Sequence, residues 1–220
     1  MHLAVKAFLL IFGLLFVGLG AFIEVKLANE ARAGADRAEQ LAPASAAVVA
    51  TSAPGTTLLV EGTLNERNPA RFRAFVAYIR EEFRGADEHG DDQWAEDERV
   101  TPPLLIETSG LVQVSNEDYA LVGAHEQWQE AGLNWNSQTE EGTKRYTGMI
   151  AGRPVLALGV VAPSREGNTL RAELLFGGTR QRYIASQRET ASFLPWIGLA
   201  FVLVGAGVAY LGVWRLRHWR

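Results

Sequence analysis

The sequence predicts a membrane protein in which two transmembrane helices flank a mainly antiparallel β domain, α+β in class and small barrel- or sandwich-like in form. Three observations carry this reading. Ala7 to Ile23 contains no charged residue, and neither do the 22 residues from Phe193 to Trp214. Between them lie short β-like runs separated by turn residues, the pattern of an antiparallel sheet closed on itself. At 220 residues, 48% of them apolar, the chain has room for two spans and a domain with its own core.

The elements follow in order. Residues 3–24 form the first span, lengthened at its start by Leu3, Ala4 and Val5 if the Lys6 ammonium snorkels to the surface. The same positive start and apolar run also suit a secretory signal peptide. No A-x-A cleavage site follows at close range, and 31-ARA-33 lies well past the run, so an uncleaved anchor and a cleaved signal both stand as readings. Residues 25–41, rich in Ala with interspersed charge, read as a helical stalk. Residues 42–55, built from small residues and two prolines, read as a flexible linker. The β-rich domain covers 56–185, with strands expected at 57–64, 104–107, 111–114, 119–122, 145–150, 154–161, 169–176 and 181–184. Ser186 and Glu189 form a capping-box pattern that would start a helix leading into the second span, 193–214. At the α-helical rise its 22 charge-free residues extend about 33 Å, enough to cross a hydrocarbon core of about 30 Å. Trp196 and Trp214 sit near its ends, where amphipathic rings settle at the headgroups, and Gly205 with Ala209 makes a small-xxx-small pair suited to helix packing.

Charge sets the orientation and limits the partners. The cationic tail 215-RLRHWR-220 and Lys6 place both termini in the cytoplasm, so the protein is expected in the cell membrane, multi-pass, with its domain extracytoplasmic. Residues 25–192 hold 17 Lys and Arg against 24 Asp and Glu, a net of −7, which disfavours nucleic acid as a partner. Cysteine is absent, which removes disulfides, thiolate metal sites and cysteine nucleophiles.

The acidic run 85-GADEHGDDQWAEDE-98 invites a metal reading. Asp87, Asp91, Asp92 and Glu98 are its candidate ligands. A calcium loop needs alternating oxygen ligands and a glycine at its sixth position; here His89 is third and Gly90 comes too early. A solvated turn is the competing reading, since crowded like charges repel and stay hydrated. The stretch 71-RFRAFVAYIREEF-83 is ambiguous in another way: Phe72, Phe75, Val76, Ile79 and Phe83 fall at helical spacing, while Phe, Val, Tyr and Ile favour strands.

The order of elements resembles the membrane-adjacent module of the GIDE family, the domain between the two spans of the mitochondrial ubiquitin ligases called MULAN. The resemblance runs over about 56–214 and rests on "VEGTL", "YIREEFRG", "PLLIETSGLVQV", "RYTGMIAGRPVLALGVV", "LRAELLFGG" and "RYIASQRE" in that order, between a span and a second span. It implies a strand over 71–84, against the local helical spacing. The acidic run then becomes the tip of a long hairpin, with Arg73–Arg84 on one side and Trp94–Val100 on the other. The ligase members carry a zinc-binding RING after the second span; with no cysteine in this chain, ubiquitin ligase activity is not expected.

Other chemistry is thin. There is no G-x-S-x-G, P-loop or H-E-x-x-H. The expected function is therefore a binding or scaffolding module held beside the bilayer, with no cofactor. Its expected partners are membrane lipids and another membrane protein or a small ligand. Trp128, Trp135 and His125, all in 125-HEQWQEAGLNW-135, are the candidate ligand-binding residues. An extracytoplasmic enzyme using carboxylates alone, or assisted by a metal, is the alternative; it would need two carboxylates about 5–10 Å apart beside a cleft. An oligonucleotide-binding barrel is a further rival, disfavoured by the domain's charge.

Overall fold

The structure, a computed structural model, describes residues 2–165 and 167–217. Two compact units divide the chain: the N-terminal helices to Gln40 together with the C-terminal helix from Ile184, and Leu41–Tyr183.

In the helical unit, α1 (His2–Phe22) passes through a π-helical turn (Ile23–Leu27) into α2 (Ala28–Gln40). The last helix of the chain, α4 (Arg180–Arg217), returns beside it. These are two helices long and apolar enough to cross a membrane. They meet through glycine. A Cβ on Gly13 would lie 2.6 Å from the Gly205 carbonyl oxygen, and one on Gly20 would lie 2.5 Å from that of Gly198, so the pair is antiparallel and in backbone contact. From Ile184 onward, the buried positions of α4 among the described residues are Ala191, Gly198, Gly205 and Gly212, a strict seven-residue spacing of small residues. Opposite them the buried positions are Gly13, Gly20, Ala28 and Ala35, with one step of eight. In an unbroken α-helix the extra residue would carry Ala28 about 100° further round. The π turn, closed by the Ala28 N–H on the Ile23 carbonyl, falls inside that step and absorbs the residue. Ala31 and Ala38 complete the buried stripe of α2, and Arg188 of α4 pairs with Glu39. Pro195 lies within α4, where it supplies no N–H to the ladder.

In the second unit, α3 (Ala46–Thr51) comes first. Ser45 caps it by accepting from the Val48 N–H, and Val49 is buried. The Asn168 amide donates to the carbonyls of Ala50 (3.1 Å) and Ser52 (2.8 Å), while Pro43 bridges to Leu59. Residues 42–55 are therefore bound onto the domain, and the expected flexible linker is not seen. One carbonyl in the last turn of a six-residue helix and that of its C-cap residue gain a donor from a strand far along the chain, which composition cannot show.

The strands then run β1 (Thr57–Leu64), β2 (Phe75–Ala86), β3 (Asp92–Val100), β4 (Leu104–Glu107), β5 (Leu111–Val114), β6 (Ala120–Val122), β7 (Glu126–Gln129), β8 (Trp135–Asn136), β9 (Glu141–Gly142), β10 (Lys144–Ile150), β11 (Pro154–Ser164) and β12 (Gly167–Phe176). Five close on themselves in the order β11-β1-β4-β5-β12, with β12 returning to β11. All pairings are antiparallel except β5 with β12. This is a five-stranded Greek-key barrel of OB type. Its interior is filled by Val60, Leu64, Leu104, Ile106, Val112, Val114, Val155, Ala157, Leu170 and Ala172, from all five strands.

Two long insertions leave this barrel, one between β1 and β4 and one between β5 and β11. They join as a second sheet in the order β3-β2-β10-β7. Strand β2 pairs on both edges, with β3 and β10. Val76 and Ala77 enter the barrel core while Phe75 and Tyr78 enter an aromatic cluster. A strand covered on both faces shows no alternation, which is why its sequence mimics a helix.

Two further expectations are corrected. Residues 181–184 are helical, and α4 begins at Arg180, ahead of the Ser186–Glu189 pattern. Thr179 is the N-cap, its hydroxyl accepting from the Arg182 N–H (3.3 Å), and the Glu61 carboxylate on β1 accepts from the Arg180 N–H (2.9 Å). The cationic tail expected at 215–220 lies, from 218 onward, outside the described residues.

Candidate binding face of the inserted sheet

The second sheet gathers the aromatic residues of both insertions. Phe72, in the turn before β2, stacks on Tyr146 of β10 with ring centroids 3.9 Å apart. Tyr78 of β2 and Trp128 of β7 flank that stack at 5.6 Å from Tyr146. Tyr78 and Tyr146 are buried, and Trp128 is half-buried at the margin. The register sets this up by placing Tyr146 opposite Trp128 on one side and Arg80 on the other.

Arg73 covers the margin. Its guanidinium carbon stands 4.3 Å from the Trp128 ring centroid. Its φ of +51° is a left-handed conformation rarely adopted by residues other than Gly, Asn and Asp. The turn is pinned by the Phe75 N–H on the Phe72 carbonyl (2.8 Å) and the Arg71 N–H on the Phe75 carbonyl (2.7 Å). Two other Trp–Arg stacks occur nearby: Arg145 over Trp94 at 4.2 Å and Arg84 over Trp135 at 5.2 Å.

Most charges of the sheet are paired. Arg80 bonds Asp97 and Glu98, both at 2.9 Å, and the hydrogen bond to Asp97 leads in raising its pKa. The Tyr78 hydroxyl donates to Glu98 (3.2 Å), and burial, with Glu98 second, raises its pKa. Arg145 holds Glu81, Arg84 holds the buried Glu82, and Arg99 holds Glu96. Arg71 and Arg73 are exposed and, among the described residues, make no ion pair. Arg71 lines a cleft of about 310 Å³ with Arg99, Val100, Thr101, Pro102 and Glu117. Val100 also packs against the aromatic cluster, so the cleft and the cluster share a wall.

The sequence candidates fall in different places. Trp128 belongs to this face. Trp135 belongs to another cluster, beside Gly85, Gly142 and Arg84. His125 is structural: its Nδ1 accepts from the Ile150 N–H (3.0 Å) and its Nε2 donates to the Pro154 carbonyl (2.7 Å), so neither ring nitrogen is left for a ligand. Burial leads in lowering its pKa. The acidic tip is a turn, as a hairpin between β2 and β3 requires. Asp87 accepts from the N–H groups of His89 and Asp91 and from the Gln93 amide. Glu98 is held by Arg80 and Tyr78, and Asp92 pairs with Ala86 in the ladder. Asp87, Asp91, Asp92 and Glu98 thus do not converge, and the described residues hold no group of three or more His, Asp or Glu suited to a metal. Sequence reasoning missed Phe72, Arg73 and Tyr146; the only available signal was the density of Phe and Arg in 71-RFR-73.

OB-type barrels bind oligonucleotides mainly on the face of their second and third strands, β4 and β5 here. The outward residues of these strands are Leu105, Glu107, Leu111 and Gln113, which offer neither a basic group nor a stacking ring. The chain matches no family model, no curated protein and no solved structure.

Proposed function

We propose that this chain is a membrane-anchored binding or scaffolding protein, crossing the bilayer twice, whose barrel domain is tethered at both ends. The observation that carries the membrane part is the inverted packing of the helix pair. Glycine and alanine fill the contact, while Leu14, Leu203 and Tyr210 are 66%, 64% and 66% exposed. In water such a surface would associate or aggregate, whereas lipid favours it and close backbone packing supplies the attraction. A chain that crosses twice has both termini on one side and the domain on the other, and the Lys and Arg near the termini favour the cytoplasm for them. The GIDE-like assignment belongs to the same proposal and rests on element order alone.

The binding part is supported by the arginine-capped aromatic face. It is favoured over the carboxylate-enzyme alternative because Glu81, Glu82, Glu96, Asp97, Glu98 and Asp118 are each committed to an arginine. Extraction of membranes at alkaline pH tests the anchoring. The intact chain stays in the pellet, and Leu203→Arg releases it or leaves the second span uninserted, since a central charge costs about 2.5–3.5 kcal/mol on insertion scales. Release of the unmodified chain would defeat the proposal.

A further inference from the structure

We propose that the turn carrying Arg71 and Arg73, with the cleft beside it, binds a phosphate-type oxyanion, the two guanidinium groups holding the ligand. This rests on the reading of the chain as a membrane-anchored binding protein, because phosphate esters are the commonest oxyanions at a bilayer surface. Three observations point to this place. Within a −7 segment, Arg71 and Arg73 are two exposed guanidinium groups, one residue apart, without an ion pair among the described residues, while Arg80, Arg84, Arg99 and Arg145 of the same sheet all have carboxylate partners. Arg73 is preorganised: its planar group lies on Trp128, which fixes one face and leaves the N–H edges to address an oxyanion in bidentate fashion. And its φ of +51° is a strain that the fold maintains although glycine would relieve it. Arg71 serves the adjoining cleft, where other polar groups of the lining are already committed, Arg99 to Glu96 and the Thr101 hydroxyl to the Glu117 carbonyl. Glu117 is the one carboxylate lining that cleft, and it opposes an anion.

The test uses the full chain in a phosphate-free detergent. One arm titrates inorganic phosphate and glycerol 3-phosphate by calorimetry, with the Trp fluorescence change assigned to Trp128 by its loss in Trp128→Phe. The other compares retention of phosphatidic acid with that of a diacylglycerol lacking phosphate. Binding in the first arm identifies a soluble phosphate, and binding in the second alone identifies a headgroup. In either case Arg71→Gln and Arg73→Gly weaken it at least tenfold, Glu117→Gln tightens it, and Arg165→Gln on the exposed β11–β12 turn leaves it unchanged. Arg73→Gly also relieves the left-handed strain, so its melting temperature does not fall and loss of binding is not loss of fold. The proposal is overturned by no binding in both arms, by equal weakening in Arg165→Gln, or by succinate binding as well as phosphate. Alkaline extraction of the same preparations separates the two levels. Arginine-dependent binding by a chain that extracts leaves the site and removes the anchor; an integral chain that binds neither probe removes only the site.

Discussion

Replacing Gly205 by Leu tests the glycine contact on which the helix pair depends. A Cβ at Gly205 would meet the Gly13 carbonyl oxygen at 2.6 Å, the Val17 nitrogen at 2.8 Å and the Phe16 Cβ at 2.9 Å. Comfortable separations are about 3.5–4.0 Å, so the helices must part by about 1 Å before the rest of the side chain is placed. A gap of that size forfeits a quarter to a half of each contact, and with about twenty atom pairs at 0.1–0.2 kcal/mol each the loss is about 0.5–2 kcal/mol. Overpacking by the Leu branch brings the total to about 1–3 kcal/mol. Gly207→Leu is the matched control, since a Cβ there meets nothing within 4 Å. Thermal unfolding of the full chain in detergent is one readout. Cross-linking of a Phe16→Cys, Phe201→Cys pair is the other, because those rings stand 5.4 Å apart and the chain has no other thiol. Equal effects of Leu at 205 and 207 on stability and cross-linking would refute the reasoning.

The π turn makes an insertion-deletion prediction: deleting Val25 restores an unbroken helix with seven-residue spacing and is tolerated. Adding one alanine after Val25 instead turns the α2 stripe by about 100° and lowers the melting temperature. For His125, the folded pKa lies below the ordinary 6.5, so the unfolded chain takes up the proton first. Its contribution to stability is complete above that value and declines as pH falls below it; a His125→Gln variant followed through pH-dependent melts loses this part of the slope. Replacing 87–92 with a Gly-Ser turn, which removes Asp87, Asp91 and Asp92, leaves the melting temperature nearly unchanged with or without calcium, and a calcium-dependent rise confined to the native protein would restore the metal reading. Asn168→Ala withdraws the donor from the Ala50 and Ser52 carbonyls, costs about 1–2 kcal/mol, and increases amide exchange over 46–52 first.

What could be read ahead of the structure followed from one-sided burial. Strands β1, β4, β5, β11 and β12 coincide closely with apolar runs bounded by turn residues, because each feeds one barrel interior. Strand β2 defeated local periodicity because both its faces are covered. Strand β7, read as Glu-Gln-Trp-Gln, offers one apolar residue in four and gives no pattern until Tyr146 supplies its neighbour. Helix α3 was hidden because small residues and prolines resemble a linker, while its order comes from Asn168 and from burial of Val49. At the site, Trp128 could be suspected from its chemistry. The left-handed turn at Arg73 and its stack on Trp128 are tertiary facts with no local signature. The same holds for His125, whose two ring nitrogens find backbone partners 25 and 29 residues away.

The most direct measurement of the central claim is accessibility of single cysteines in intact cells to a membrane-impermeant maleimide. The chain carries no native thiol, so a cysteine at Ser109, at Ser137, at His2 or appended after Arg220 is the only target in each variant. Ser109 and Ser137 are exposed on the domain and accept the change without loss of packing. A chain that crosses twice with a tethered outer domain labels at 109 and 137 in intact cells, and at residue 2 and beyond 220 only after the cells are opened. Labelling of residue 2 together with the domain would reduce the chain to one crossing, and labelling of the termini but not the domain would invert it; either result contradicts the account.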